Sequence, residues 1–254
     1  MKRVFLPVLV IASAMSLPSA GRAQTEVTLI APGGIRSAVQ QLIPGFEQKT
    51  GYKVNPTFGS GGGTKQQVAR GEVFDVPILQ PPYPEVLASG NVIEGSATPL
   101  ASVAVGIAVK LGSPKPDIST PEALKKLLLS VKSISLPDPA LGGAAGVSFR
   151  ETLKKLGIAD EVEAKFKPAQ GGGAAMAMVA KGEVEIGVTF LSEMSDPGID
   201  KAGALPKEVS PRTALVGFVS THAKNPQAAK ALLQYLSAPE AAPVYRSLGM
   251  EPSR

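Results

Sequence analysis

The stretch Phe58-Gly59-Ser60-Gly61-Gly62-Gly63-Thr64-Lys65 decides how the chain reads. It follows a strand-like segment, Tyr52 to Phe58, and precedes a short helical one carrying Val68 and Ala69. A glycine run there lets the backbone turn tightly and points successive N–H groups inward, with a helix N-terminus behind them. Ser60 and Thr64 add hydroxyls, and Lys65 adds a positive charge. An oxyanion site is built this way. A solvated flexible loop has the same composition, so the run gains its meaning from its company. Gly142-Gly143-Ala144-Ala145-Gly146 and Gln170-Gly171-Gly172-Gly173-Ala174 each open a helical segment too, and Pro32-Gly33-Gly34 precedes Ile35. The Gly-x-x-x-x-Gly-Lys-Ser/Thr pattern of a P-loop is absent.

Outward from that run, the first third alternates. Val27 to Ala31 is an apolar run of strand length. Ile35, Val39, Leu42, Ile43 and Phe46 fall on one helical face, which Pro44 is expected to kink or end. Lys53 to Phe58 is a strand whose Pro56 marks an edge or an end. Phe74 to Leu79 is a third strand. This β-α-β-α-β order predicts an α/β fold with a parallel sheet. Ligands of such sheets sit beyond the C-terminal strand ends, where Pro32-Gly33-Gly34, the glycine run and Gln80-Pro81-Pro82 converge.

The same grammar recurs. Val103 to Val109 is a strand and a crossing point into a second lobe. Thr120-Pro121 starts a helix ending near Ser130. Ser133 to Leu136 is a strand reaching Asp138-Pro139, and Val147, Phe149, Leu153 and Leu156 form a helix closed by Gly157. Met176, Val179 and Ala180 form another, stopped at Lys181-Gly182, before the strand Glu185 to Phe190. Ala214 to Val219 returns to the first lobe, and Pro226 to Leu236 and Pro239 to Leu248 are closing helices. The expected division is residues 24–103 plus 214–254 for one lobe and 104–213 for the other.

Composition bounds the rest. Among 254 residues, Met1-Lys2-Arg3, the apolar run Val4 to Ala12 and small residues Gly21 and Ala23 read as a cleaved signal peptide of residues 1–23. Without cysteine there is neither a lipid anchor nor a disulfide framework, so core burial must stabilise the exported chain. Lys2, Arg3 and Arg22 leave with the leader, so the net charge of +5 falls to +2. With 5% aromatics and no Arg/Lys stripe, there is no nucleic-acid footprint.

Catalytic constellations are thin. His222 stands alone between a strand and an Asn225-Pro226 helix start, as a loop residue or a base. No cysteine, histidine pair or carboxylate cluster speaks for a metal, and no cofactor is expected. Asp138 and Glu193, at strand ends, are either acid–base groups or helix caps and surface partners. Arg36 and Lys65 stand in first helical turns, where cations oppose the dipole. An anionic ligand explains that placement, and so do solvated side chains.

Taken over its mature length, the chain resembles the molybdate-type periplasmic solute-binding proteins, two-lobed type II receptors of ABC importers. The resemblance rests on the opening strand and helix, Ser60 to Gly71 with Phe74-Asp75-Val76, and Asp138-Pro139 with Gly143 to Gly146. Gly187-Val188-Thr189-Phe190 and Tyr235-Leu236 with Pro239-Glu240-Ala241-Ala242 complete it. It implies a monomeric periplasmic receptor holding a small anion between two lobes, each a mainly parallel sheet, and delivering it to a membrane permease.

The family grips its oxyanion with hydroxyls and backbone N–H groups. The first-loop serine of that pattern falls at Gly34 and the second-lobe tyrosine at Phe190, so both hydroxyls are missing. Charge-assisted bonds of about 1.5–3 kcal/mol each go with them. Taken with the strand-end and helix-start readings above, the expected site comprises Gly33, Gly34 and Arg36, then Ser60, Gly62, Gly63, Thr64 and Lys65, and Gln80. From the second lobe it takes Ala144, Ala145, Gly171, Gly172 and Phe190. Arg36 and Lys65 favour an organic carboxylate over molybdate. The chain is also similar to the aconitate isomerases, which perform an allylic proton shift on a tricarboxylate. That similarity implies an isomerase alternative; the residues near the expected cleft that could serve as its base are Lys65, Asp138 and Glu193, with Lys65 favoured.

Overall fold

The computed structural model describes residues 25–253, so the expected signal peptide lies outside the described residues. The chain enters through β1 (Glu26–Pro32), α1 (Arg36–Thr50), β2 (Lys53–Gly59), α2 (Gly61–Ala69), β3 (Val76–Leu79) and α3 (Pro84–Ser89), then follows β4 (Thr98–Val103). Past the single buried residue Ala104, β5 (Val105–Lys110) belongs to a second sheet. There follow α4 (Pro121–Ser130), β6 (Ile134–Pro137), α5 (Ala144–Leu156), α6 (Ala159–Glu163), β7 (Phe166–Ala169), α7 (Gly172–Lys181), β8 (Ile186–Phe190) and β9 (Ile199–Ala204). The chain then returns as β10 (Thr213–Gly217), α8 (Pro226–Ser237), α9 (Ala242–Ser247) and β11 (Glu251–Pro252).

The first sheet has the order β11-β4-β10-β3-β1-β2 and the second β7-β6-β8-β5-β9. Both are mixed. β1 runs parallel to β2 and β3, and β6 parallel to β7 and β8. The strands around each crossing, β4 and β10 in one sheet and β5 and β9 in the other, pair antiparallel. β2 is an edge, where Pro56 costs no interior ladder bond. Central β8 is buried throughout, as a strand covered by helices must be.

Three local expectations need correction. The run Val103 to Val109 is two strands on different sheets, broken at Ala104. Pro44 does not end α1, which continues to Thr50. Pro44 is exposed, so the Gln40 carbonyl that it cannot satisfy faces water, while the next turn is anchored from inside. There Phe46 packs its ring 5.6 Å from Tyr235 and 6.2 Å from Tyr52, and Glu47 accepts from the Val54 N–H and Lys53 Nζ.

The third correction concerns the glycine run, which is the first turn of α2 and not a loop. Ser60 caps it, its hydroxyl accepting from the Gly63 N–H at 3.1 Å. Glycine costs about 0.5–1 kcal/mol per helical position. Close approach explains it here: a Cβ on Gly61 would stand 2.9 Å from the Ala144 Cβ, and one on Gly62 3.1 Å from the Gly142 Cα. The run lets the two halves of the molecule touch.

Candidate functional site

Between the sheets lies a cavity of ≈ 590 Å³. The C-terminal ends of β1, β2, β6, β7 and β8 border it, with Gln80 just beyond β3. The starts of α2, α5 and α7 face it through Gly61, Ala144 and Gly172. Three helix N-termini therefore bring N–H groups without intrahelical acceptors, and three positive dipole ends, to one space. Hydrogen bonds close the halves around it. The Gly62 N–H donates to the Gly142 carbonyl at 3.1 Å, and the buried Ser192 hydroxyl donates to the Gly34 carbonyl at 2.7 Å.

Of the residues expected at the site, Gly33, Gly34, Arg36, Ser60 and Gln80 border the cavity on one side. Ala144, Ala145, Gly171, Gly172 and Phe190 border it on the other. Gly62, Gly63, Thr64 and Lys65 do not. The N–H groups of Gly62 and Gly63 are taken by Gly142 and Ser60. Thr64 is fully buried beneath the turn. Lys65 donates from Nζ to the Pro82 carbonyl at 2.7 Å on the exposed surface, because the helical glycine turn rotates its side chain away. His222 is a loop residue outside the cavity lining, its ring paired with the Asn91 amide.

The charged residues bordering the cavity are Arg36, Asp138 and Glu193. The Arg36 guanidinium lies 4.7 Å over the Phe58 ring and, among the described residues, is in no ion pair. Asp138 is committed to the backbone: its carboxylate accepts from the Ala140 N–H at 2.8 Å, capping a short turn.

Glu193 is differently held. Thr189 donates its hydroxyl to Oε2, while Oε1 occupies the space beside Gly33, 2.6 Å from where a Cβ would sit. A Cβ on Gly172 would meet Oε2. The carboxyl is thus wedged between the turn after β1 and the first turn of α7. Burial pushes its pKa up, against the opposing effects of the Thr189 hydroxyl, the Phe190 backbone and the Arg36 charge. Gln80 is 3% exposed, and neither its amide oxygen nor its amide nitrogen has a hydrogen-bond partner. An orphaned buried amide costs about 1–3 kcal/mol, which a ligand offering both an acceptor and a donor would recover.

Sequence reasoning named Glu193 only as an open alternative and did not place Phe58 at the site. Both stand at strand ends, and that rule, applied to every parallel strand, is the signal that finds them.

Residues 27–251 match the family described as bacterial extracellular solute-binding proteins. An aconitate isomerase of a Pseudomonas species is 33% identical over 238 residues, covering 90% of this chain and 88% of its own. The molybdate-binding protein ModA of Azotobacter vinelandii is 29% identical over 248 residues, covering 95% and 96%. A solved structure of a periplasmic molybdate-binding protein from Azotobacter vinelandii aligns with a TM-score of 0.75 at 18% identity, over 90% of this chain and all of that one.

Proposed function

This chain belongs to the bacterial extracellular solute-binding protein family, and we propose that its cleft captures a small organic carboxylate for a membrane permease. The observation that carries the reading is the donor set of the cavity. Arg36, the Gln80 amide and the N-termini of α5 and α7 supply donors, and Glu193 and the Gln80 oxygen supply acceptors among them. A fully deprotonated tetrahedral dianion finds no use for acceptors, and a carboxylate pressed against it repels. A molecule with several carboxylates and a protonated or hydroxyl group uses both kinds. The cavity falls in the range of about 300–1,000 Å³ that suits organic ligands.

The reading includes its setting. Residues 24–103 with 214–254 form one lobe and 104–213 the other, hinged at Ala104 and at the return to β10. The protein acts as a monomer in the periplasm after loss of residues 1–23. Gly34 and Phe190 hold no hydroxyl for molybdate.

A second reading, isomerisation of a tricarboxylate in the same cleft, is favoured by the buried Glu193 carboxyl together with the 33% identity to an aconitate isomerase. Lys65, bonded to Pro82 on the surface, is not its base.

A thermal-shift panel of molybdate, tungstate, sulfate and di- and tricarboxylates tests the main reading. Ligand at about 100 times its dissociation constant adds roughly 2.7 kcal/mol of stability. The expected result is a shift with carboxylates alone. A shift confined to molybdate and tungstate would reverse it.

A further inference from the structure

We propose that Glu193 is the acid–base residue of this cleft, exchanging a proton with a carbon of a bound unsaturated polycarboxylate. The inference rests on the carboxylate reading above and identifies the group that would turn capture into conversion.

The geometry selects among three candidates. Lys65 is outside the cavity, with its ammonium on the Pro82 carbonyl. Asp138 borders the cavity but is held by the Ala140 N–H and closes a turn. Glu193 borders the cavity with Oε2 on the Thr189 hydroxyl and Oε1 beside Gly33, itself a residue of the cavity wall. Thr189 lies within the wholly buried β8, so the donor that orients the carboxyl is held in a central strand. Two glycines, Gly33 and Gly172, leave the space that the carboxyl fills. Among the described residues Glu193 is in no ion pair, and Arg36 acts on it only at longer range. Burial raises the proton affinity of a carboxyl held this way, in the direction that favours proton transfer to and from carbon.

The step balances without a co-reactant. The ionised Glu193 takes a proton from the methylene carbon beside the ligand's double bond. That C–H electron pair becomes a new C=C bond, and the old C=C pair binds, at the far carbon, the proton that the Glu193 carboxyl returns. Nothing is oxidised or reduced. Negative charge builds on a ligand carboxylate in between, where Arg36 and the N–H groups opening α5 and α7 can stabilise it.

The test uses the full mature chain with trans-aconitate in D₂O. NMR follows loss of the carbon-bound proton signals and appearance of the cis isomer, and calorimetry measures binding of the same compound. Acid–base groups contribute about 10²–10⁴-fold, so Glu193→Gln should slow exchange at least 100-fold while still melting cooperatively, no less stably than the wild type, and keeping its binding. Glu193→Asp, a shorter acid, should retain intermediate exchange, and Lys65→Met should match the wild type. Equal exchange in Glu193→Gln overturns the assignment. Tight binding with no exchange in the wild type also overturns it and leaves a pure receptor. Absence of any binding removes the carboxylate reading, and the proposal falls with it.

Discussion

A Cβ on Gly34 would stand 3.1 Å from Phe190 Cδ2, so the glycine and the ring share one space across the cleft. Residues with hydroxyls at these two positions would have to contend with each other before contacting any ligand. Gly34→Ala is expected to destabilise by about 1–2 kcal/mol, as overpacking outweighs the gain from restricting the unfolded chain. In a Phe190→Leu background that cost should shrink, giving a measurable coupling in urea unfolding. Additive effects would mean that the ring yields freely.

Arg36 and Lys65, both expected at the site, should now behave differently. Arg36→Gln removes the cation bordering the cavity and should weaken carboxylate binding about 10- to 100-fold, the worth of a charge-assisted bond. Lys65→Met should leave affinity unchanged, because its ammonium is on the Pro82 carbonyl. Titration calorimetry on the two variants separates them.

Glu193 makes the unliganded protein more stable in acid. Burial raises its pKa above the ordinary 4.5, so the native state holds its proton where the unfolded state has lost it. Its contribution is complete below the unfolded value and is lost as pH rises through the native one. Arg36 opposes the shift, and Asp138 is the other acid bordering the cavity. Melting temperatures of wild type and Glu193→Gln should therefore diverge in favour of the variant as pH rises above about 4.5, where an unshifted carboxyl titrates. Parallel curves would show an unperturbed carboxyl.

Asp75 ties the first sheet to the start of α8 and is 2% exposed. Its carboxylate accepts from the Thr28 N–H at 2.7 Å, the Thr28 hydroxyl at 2.8 Å and the Lys224 N–H at 2.6 Å. Asp75→Ala orphans these donors and should cost about 3 kcal/mol or more in chemical denaturation. A loss below about 1 kcal/mol would indicate that water replaces the carboxylate.

Much of this fold was legible. The strands that were read correctly, β1, β2, β3, β6 and β8, carry apolar residues or a proline whose edge position could be inferred. β7 (Phe-Lys-Pro-Ala) and β9 (Ile-Asp-Lys-Ala-Gly-Ala) were missed because both are edges of the second sheet. Half-solvated edges form by pairing with a neighbour, and their own pattern carries no period. The glycine stretches do border one cavity between the sheets, yet the run at 59–63 looked like a loop. Only the approach of Gly142 and Ala144 explains a helical turn of glycines, and sequence order does not reveal contacts across some 80 positions. Lys65 falls outside the cavity for the same reason, since in a helix each residue turns the side chain by about 100°, and the fifth position of α2 reaches the Pro82 carbonyl instead.

The central claim is that this cleft holds an organic carboxylate, and titration calorimetry of the mature chain with trans-aconitate and with molybdate, in one buffer, tests it most directly. Saturable binding of the tricarboxylate with a stoichiometry of about one, and no heat with molybdate, is the expected result. Tight molybdate binding with a silent tricarboxylate would contradict it.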